Sequence, residues 1–335
     1  MGLTQDIGRD AGAAAAATPA VSVIMPAYRS AAYIAEALDS VFAQTFKDFE
    51  VVVVNDGSPD TEELERVLAP YLGRIVYIRQ ENRGVSAARN AAIRAARAPL
   101  VAMLDPDDAW EPDYLEVQVG MMRADPTLDI LYPNALIFGD IPQAGKTYME
   151  VNPSEGEVTF ESVLTQRCTI VNYVIARREA IVAAGWFDET LHRSEDFDLW
   201  LRILCRGGRV GYHRRVLARY RRYAGSLSSD PVLMARDLLR VLDKAGRELE
   251  LSDEQRRVLE RERARFHAGL RLEEGKRAFE RGDALAALEG VAEANRVLRS
   301  RKLSAVIPLL RVAPGLLLFA YNWRARRMRK RGLRV

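Results

Sequence analysis

The first third of the chain alternates short apolar runs with longer segments that are apolar on one side only. These mostly apolar runs cover residues 21–25, 50–54, 75–78 and 100–104. Runs of this length are typical of strands buried on both faces of a parallel sheet. Between them, apolar side chains recur at helical spacing, as from Ile34 to Phe42. The alternation predicts a β-α-β-α-β-α-β series, and therefore a mostly parallel sheet flanked by helices.

Each of the four predicted strands is followed by a polar residue that could contact a ligand. These residues are Tyr28, Asp56, Asn82 and Asp105. Because the carboxyl ends of parallel strands open onto one crevice, we expect the four to share a site. The last loop adds two further carboxylates, Asp107 and Asp108. A divalent cation relieves repulsion of this kind, although a solvated acidic loop is the alternative interpretation.

The middle of the chain continues the mixture of strands and helices. The pattern predicts helices over residues 113–123, 158–166 and 178–184, strands over 128–138 and 170–176, and extended chain over 210–223. Residues 139–156 are rich in proline and glycine, which favours a loop. An amphipathic helix follows Ser194 and begins with Glu195 and Asp196. Carboxylates are favoured at a helix N-terminus by the helix dipole, so this pair alone does not establish a catalytic role.

Composition excludes several classes of protein. The 335 residues are 48% apolar, which is ordinary for a folded protein, and the net charge of +3 gives no case for nucleic-acid binding. The two cysteines form no CxxC pair, so a zinc site or disulfide framework is not expected. A nicotinamide dehydrogenase is remote, because no GxGxxG follows the first strand.

The last third has a different character. Residues 231–300 are charge-rich and helical. Residues 275–288 are similar to one tetratricopeptide-like helix pair, and a helical appendage that packs on the preceding domain is the alternative. Residues 303–323 are apolar but interrupted by Pro308, Arg311 and Pro314, and seven basic residues follow between 324 and 335. This order predicts an interfacial helix on an anionic membrane surface, with a helix packed on the protein and a solvated tail as the alternative.

Five ordered stretches together resemble the family 2 glycosyltransferases with the GT-A fold. They are VSVIMPAYRS (21–30), SVFAQTFKDFEVVVVNDGSPD (40–60), QENRGVSAARNAAI (80–93), LDPDDAW (104–110) and SEDFDLWLR (194–202). The resemblance implies a GT-A Rossmann-like sheet within an α/β catalytic domain, followed by an all-helical extension. We therefore expect a disordered leader over 1–19, the catalytic domain over 20–228, a helical extension over 229–300 and an apolar, basic segment over 301–335.

The resemblance also implies which residues bind the nucleotide sugar. Pro26 and Tyr28 would lie at the nucleobase, on which an aromatic ring can stack. Asp56 would accept the base N3–H, which points to uracil, although an Asp-Gly pair is also a turn former. Gly84 would allow close approach of the backbone.

The same resemblance assigns the charged residues. Arg89 would meet the diphosphate or pair with the aspartates, and Asp105 would bind ribose or donor-sugar hydroxyls. Asp107, with Asp108, would hold Mn²⁺ or Mg²⁺, which neutralises charge on the departing diphosphate. Asp196 would be the base that deprotonates the acceptor hydroxyl, with Glu195 as the alternative.

The resemblance thus predicts an inverting, metal-dependent glycosyltransferase that acts on a glycan or lipid-linked acceptor in cell-surface polysaccharide synthesis, in the cytoplasm at the inner face of the membrane. Residues 139–156 would form a loop on the acceptor side. One position departs from the family pattern, because Tyr223 stands where a histidine is common. The alternative is a non-catalytic nucleotide-sugar-binding or scaffold protein that acts through its helical C-terminal region.

Overall fold

The computed structural model describes residues 17–223 and 230–317. Within these residues the chain divides into two compact units, the first closing at Arg222 and the second containing residues 140–142 and those from Tyr223 onward. Most of the predicted leader and the basic end of the predicted membrane segment lie outside the described residues.

The first unit contains a sheet and the helices around it. Its strands are β1 Val21–Ala27, β2 Phe49–Asp56, β3 Val76–Gln80, β4 Leu100–Met103, β5 Ala109–Trp110, β6 Ile130–Phe138, β7 Ile175–Arg177 and β8 Val210–Arg221. Its helices are α1 Ile34–Phe42, α2 Thr61–Leu68, α3 Val85–Ala95, α4 Tyr114–Ala124, α5 Tyr148–Val151, α6 Phe160–Leu164, α7 Arg178–Ala183 and α8 Glu195–Cys205, and a 3-10 turn Ala69–Tyr71 follows α2.

The strands form one sheet in the order β3-β2-β1-β4-β7-β6-β8-β5. The four strands predicted from the apolar runs pair in parallel, with Val23 opposite Val51 on one side and Ala102 on the other. The sheet then changes direction, since β7 is antiparallel to both β4 and β6. Small residues of α3, including Ala88 and Ala92, are fully buried and let this helix pack closely on β1 and β2.

The predicted α/β fold with a mostly parallel sheet and a helical C-terminal region is confirmed, with local corrections. By residue type, Ser30 would be expected to cap the first helix, but that helix begins at Ile34 with Tyr33 in the cap position. The strand predicted over 170–176 is only Ile175–Arg177, because the preceding residues turn toward the acidic loop. The predicted loop 139–156 contains α5. Thr147 and Glu150 cap the N-terminus of this helix with a reciprocal capping box.

The second unit is helical in its described part: α9 Pro231–Glu248, α10 Asp253–Glu280, α11 Ala284–Leu298 and α12 Arg301–Val312. Helices α10 and α11 are in close backbone contact at Gly290 of α11. A Cβ on Gly290 would lie 2.7 Å from the Arg271 carbonyl oxygen of α10. A small core surrounds Ala287, Val291 and Leu310. Across the part of the chain that is described, no helix combines the length and the apolar character needed to cross a bilayer.

Candidate active site

Asp56 at the end of β2 organises the loop that follows β3. One carboxylate oxygen accepts the Gln80 side-chain amide at 2.7 Å and the Arg83 N–H at 2.9 Å, and the other accepts the Gly84 N–H at 2.9 Å. The structure therefore brings together the ends of two neighbouring strands, as the sequence predicted. Neutral donors on both oxygens hold Asp56 as a fixed acceptor at the carboxyl edge of the sheet.

Two glycines in this region are required by the backbone. Gly57 and Gly84 have φ of +61° and +88°, values at which residues with a side chain are strained. A Cβ on Gly57 would also lie 2.5 Å from the Asn82 nitrogen, so the loops after β2 and β3 can approach only because that atom is missing. Gly84 precedes α3 directly and turns the chain into it.

The loop after β1 presents Tyr28 to solvent. The Tyr28 side chain is 44% exposed, and the Arg29 guanidinium lies 5.4 Å from its ring centre. The backbone behind it is tethered, because the Arg29 N–H donates to the Ser58 hydroxyl at 2.6 Å and the Ala31 N–H to Asp60 at 3.1 Å. Pro26, by contrast, is buried inside β1 opposite Val54. An exposed ring on an ordered loop is suited to stacking on a flat ligand.

The acidic loop after β4 contains three carboxylates in different surroundings. Asp105 and Asp107 are half-buried, and Asp108 is buried. Asp108 accepts the Arg221 N–H at 2.7 Å. Burial raises the pKa of Asp108 well above its ordinary value, and the negative charges of Asp107 and Asp105 raise it further. The loop therefore holds negative charge that its surroundings compensate incompletely.

Arg89 of α3 joins this loop to the start of α8. One guanidinium nitrogen donates to Asp105 at 2.8 Å, and another pairs with Glu195. The Arg89 side chain is only 4% exposed. Of the two roles predicted for Arg89, the structure shows pairing with the acidic groups; contact with a diphosphate stays a prediction.

Glu195 and Asp196 are set by an unusual helix start. Ser194, the residue before α8, adopts the left-handed region with φ of +57°. Such backbone geometry is uncommon for a residue with a side chain and is often found at functional sites. Asp196 accepts its neighbour's backbone N–H, from Phe197, at 2.7 Å. Burial, and then the charge of Glu195, raise the pKa of Asp196 to about 7, against the opposing effect of Arg89. A carboxylate with that pKa is matched to proton transfer near neutral pH.

Sequence reasoning missed Asn172. Its side-chain amide donates to both Asp105 oxygens, at 3.3 and 3.2 Å, from the segment between α6 and β7. Asn172 and Arg89 together fix the Asp105 carboxylate. No periodicity or motif in the sequence indicated this contact, which joins residues 67 positions apart.

The contacts of Arg221 were also not predicted. The Arg221 side chain donates to the Asp107 carbonyl oxygen at 2.8 Å and pairs with Glu36. Its guanidinium also lies 4.4 Å from the centre of the Phe138 ring. Arg221 therefore holds the acidic loop from the side of β8.

The acidic loop can be tested for its fit to a metal ion. Among residues 17–223 and 230–317, no group of three or more His, Cys, Asp and Glu side chains is arranged to hold one. The half-exposed Asp107 and the buried Asp108 supply hard oxygen atoms and excess negative charge. Magnesium is commonly held by one or two carboxylates and the phosphates of a substrate. The loop thus fits a cation shared with a diphosphate rather than one enclosed by protein.

The comparison with protein families bears on these residues directly. Residues 22–181 match the sequence model of Glycosyl transferase family 2. These residues are a family 2 glycosyltransferase domain. The predicted family is confirmed. The matched part of the glycosyltransferase domain contains Asp56, Arg89 and the acidic loop, whereas Glu195 and Asp196 lie just beyond it.

Relatives that match part of the chain are also named as glycosyltransferases. The chain is 31% identical over 194 residues to an uncharacterized glycosyltransferase of Rickettsia bellii, across 55% of this chain and 27% of the relative. It is 42% identical over 100 residues to the putative glycosyltransferase EpsH of Bacillus subtilis, across 30% of this chain and 29% of EpsH. The chain spans less than a third of the length of each.

Solved structures share the fold of the chain. The Staphylococcus aureus TarS fragment 1–349 in complex with UDP-GlcNAc has a TM-score of 0.58 at 19% identity, across 93% of this chain and 92% of the fragment. The mannosyltransferase PcManGT of Pyrobaculum calidifontis, in complex with GDP-Man and Mn²⁺, has a TM-score of 0.59 at 21% identity, across 92% and 88%. The predicted glycosyltransferase fold is thereby confirmed.

Proposed function

We propose that the chain is an inverting, divalent-cation-dependent glycosyltransferase that moves a sugar from a nucleotide sugar to a hydroxyl group of a glycan or lipid-linked acceptor. The observation that carries the proposal is the buried bridge through Arg89. It joins Asp105 of the acidic loop to the Glu195–Asp196 pair, where the Asp196 pKa is raised to about 7. The reaction needs a group that stabilises the leaving diphosphate and a base, and in our proposal the Arg89 bridge connects these two functions.

The donor is proposed to bind along the carboxyl edge of the sheet. Tyr28 stacks on the base, Asp56 accepts its N–H, and Gly84 lines the nucleoside, while Pro26, buried in β1, would support the Tyr28 loop from within the sheet. Asp105 contacts the ribose or donor sugar, and Arg89 is the nearby cation. Uridine diphosphate is the preferred carrier. UDP-GlcNAc bound to TarS and GDP-Man bound to PcManGT support a nucleotide-sugar donor in general.

A divalent cation, Mn²⁺ or Mg²⁺, would be held by Asp107 with Asp108 and would neutralise the charge that develops on the leaving diphosphate. Asp196 accepts the proton of the acceptor hydroxyl. The oxygen forms a bond to the anomeric carbon while the bond from that carbon to the diphosphate oxygen breaks. The diphosphate leaves with the electron pair. Attack from the face opposite the leaving group inverts the anomeric centre.

The acceptor is proposed to enter beside α5. Tyr148 on that helix packs edge-on against Tyr220, with ring centres 6.0 Å apart, and Tyr220 packs in the same way against Tyr173 at 5.7 Å. Tyr148 is half-buried. Aromatic rings at such an edge can cover the apolar face of a sugar. We infer a role in the synthesis of a cell-surface polysaccharide, which the chemistry of a glycan or lipid-linked acceptor would serve.

Membrane-surface binding is proposed for α12 and the chain that follows it. Leu309, Val312 and Leu316 are 51%, 85% and 71% exposed, and the seven basic residues follow in sequence. Exposed apolar groups next to cations suit an anionic lipid surface, at the inner face of the cell membrane. The full chain should co-sediment with phosphatidylglycerol vesicles but not with phosphatidylcholine vesicles. The double substitution Leu309→Glu/Val312→Glu should weaken that binding.

The decisive experiment is a donor screen. Purified protein is incubated with UDP-, GDP- and dTDP-sugars, with Mn²⁺ or with a chelator, and release of the nucleoside diphosphate is followed. We expect release from a UDP-sugar that Asp107→Ala and the chelator both abolish, and an inverted product by proton NMR. Nucleotide-sugar binding without transfer or hydrolysis would favour the non-catalytic alternative, and activity indifferent to the chelator would contradict the role of the cation.

A further inference from the structure

The chain between α7 and α8 runs along α3 in the opposite direction. Residues 184–194 form this connecting segment. Three contacts, taken in the order of the segment, approach the start of α3: Phe187 with Asn90, Leu191 with Ser86, and His192 with Gly84. The connecting segment therefore lies on α3 up to the point where α8 is about to begin.

Asn90 holds the connecting segment through one buried amide. Its nitrogen donates to the Phe187 carbonyl oxygen at 2.9 Å and to Glu189 at 3.1 Å, and its oxygen accepts the Phe187 N–H at 3.0 Å. An amide side chain carries a donor and an acceptor side by side, as a peptide group does. Asn90 is only 1% exposed, so water cannot easily replace these bonds if the amide is removed.

The connecting segment is also tethered at two other points, which differ in burial. The Ser86 hydroxyl donates to the Leu191 carbonyl oxygen at 3.0 Å, and Ser86 is buried. Glu189 pairs with Arg83 at 2.6 Å, but the Arg83 side chain is 62% exposed. Exposed ion pairs contribute little, because water and salt screen them. We therefore expect the two buried hydrogen-bonding groups to hold the segment and the ion pair to add little.

The start of α8 depends on contacts with the rest of the protein. Ser194 precedes the helix in the left-handed region, and its side chain makes no capping bond among the described residues. A side-chain cap would have fixed the first turn locally. Instead, Glu195 pairs with Arg89 of α3, and Phe187 packs edge-on against Trp200 of α8 with ring centres 6.4 Å apart. The position of the first turn of α8 therefore follows from where α3 holds the connecting segment.

We propose that Asn90 and Ser86 are positioning residues: by holding the connecting segment on α3, they place the first turn of α8, and Asp196 with it. The inference rests on the proposed function, because it takes Asp196 as the base. It goes further by naming the groups that set the place of that turn. Both residues act through the chain and are not proposed to touch a substrate.

The test compares substitutions in the full chain that change hydrogen bonding and little else. Asn90→Asp keeps the shape of the side chain and an acceptor for the Phe187 N–H, but it replaces the donor with an oxygen that faces the Phe187 carbonyl. Ser86→Ala removes one hydroxyl. The matched control is Gln118→Met, which removes a fully buried amide of α4 that contacts the Leu131 carbonyl oxygen.

Amide hydrogen exchange without any ligand is the first measurement, made where circular dichroism shows each variant to be folded. In Asn90→Asp, exchange over residues 187–198 should rise about tenfold, the effect of losing roughly one hydrogen bond. Ser86→Ala should raise exchange over the same residues by a smaller factor. Gln118→Met should raise exchange near α4 and leave residues 187–198 unchanged.

Steady-state kinetics with the nucleotide sugar is the second measurement. Asn90→Asp should lower kcat by about 10–100-fold, as a displaced catalytic group does, and should keep KM for the donor within about twofold. The donor KM is kept because the bonds that Asp56 accepts are not altered. Gln118→Met should keep both values. A residue that only stabilises the fold would not separate kcat from the control in this way.

Four results would overturn the proposal. Unchanged exchange over 187–198 in a folded Asn90→Asp protein would show that the amide does not hold the segment, and a rise confined to 187–191 would show that the segment does not place α8. An unchanged kcat, or a loss equal to that of Gln118→Met, would remove the positioning role. If Asn90→Asp does not fold, Ser86→Ala decides by the same criteria.

Failure of the proposed function would be seen separately. Hydrogen exchange needs no substrate, so it tests the hold of α3 on the connecting segment and on the first turn of α8 even without turnover. A protein whose exchange changes as expected but which turns over no nucleotide sugar would contradict the proposed function alone. Turnover with no change in exchange would contradict only the positioning role.

Discussion

Charged residues are abundant in both units of the chain, and one set of ion pairs in each unit shows the opposite relation to solvent. In the first unit, Arg89 is buried between Asp105 and Glu195. In the second, α10 carries ion pairs one turn apart with an exposed cation, as for Lys276 with Glu273 at 2.5 Å and Arg263 with Glu260 at 3.3 Å. Desolvation makes a buried pair expensive, whereas an exposed pair is worth only about 0.3–0.5 kcal/mol. We therefore expect the buried network to serve the site. The exposed pairs contribute solubility and weak support to the helix.

The largest effect is expected at the proposed base. Asp196→Asn removes the group that accepts a proton and should lower kcat by about 10²–10⁴-fold. In the unaltered protein, kcat/KM should rise about tenfold per pH unit below a midpoint near 7 and level off above it, because the base must be deprotonated. Steady-state kinetics across pH measures both. A variant that keeps its melting temperature and more than a tenth of the activity would rule out this role.

Loss of the buried cation should be the largest effect on stability. Arg89→Met leaves Asp105 and Glu195 without their shared partner and should lower the free energy of unfolding by about 3–5 kcal/mol. Urea unfolding of the full chain, followed by near-ultraviolet circular dichroism of the first unit's aromatic core, measures it. A cost below about 1 kcal/mol would mean that the network is not effectively buried in solution.

The second unit should be most sensitive to packing instead of charge. A Cβ at Gly290 would lie 2.7 Å from the Arg271 carbonyl oxygen and 3.0 Å from the Gly275 Cα. Gly290→Ala should therefore cost about 1–3 kcal/mol through overpacking. Gly269 in α10 is the matched control, because nothing lies within 4 Å of its added Cβ. Gly269→Ala should stabilise by up to about 1 kcal/mol. Equal effects of both changes on thermal unfolding would disprove the close contact between α10 and α11.

Removing the charge of a buried carboxylate in the acidic loop should stabilise the fold, whereas Arg89→Met should destabilise it. The pKa of Asp108 is higher in the folded protein than in the unfolded chain. The ionised group therefore destabilises the fold once the pH rises above the ordinary pKa of an aspartate. Asp108→Asn keeps an oxygen for the Arg221 N–H and should add about 1 kcal/mol at about pH 8, with no gain at about pH 3. Melting temperatures at the two pH values measure this. A loss of stability at the higher pH would show that the charge is already compensated.

The smallest effect is expected on the exposed face of α10. Lys276→Ala removes one exposed ion pair and should change the free energy of unfolding by less than about 0.5 kcal/mol. High salt should reduce even that difference, since exposed pairs are screened. The same urea titration used for Arg89→Met gives the comparison. A cost near that of Arg89→Met would erase the distinction between the two units.

The elements that could be predicted from sequence are those with a local cause. Strands β1, β2 and β4 begin within one residue of their predicted starts, because each contains a short, mostly apolar run that must be buried. Residues at their carboxyl ends could be grouped at one edge because parallel strands share a direction. The contact of Asp56 with the loop after β3 follows from that grouping.

The features that could not be predicted depend on contacts between distant segments. The antiparallel insertion of β7 between β4 and β6 leaves no mark in the three residues of that strand. In the sequence, Asn172 is one polar residue in an apolar stretch. Its role is visible only in the structure, where its amide donates to Asp105. The sequence left open whether Arg89 contacts the diphosphate or the aspartates, because sequence spacing does not show which carboxylates lie near a guanidinium.

The three bonds that Asp56 accepts restrict which bases it could recognise. An ionised carboxylate has about four lone-pair directions, and Gln80, Arg83 and Gly84 occupy three of them. One direction remains, which matches the single imide N–H of uracil or thymine. Guanine presents a ring N–H and an amino group side by side, and one of these would be left without an acceptor. The bonds that order the loop would thus also act as a filter for nucleotides of uracil or thymine.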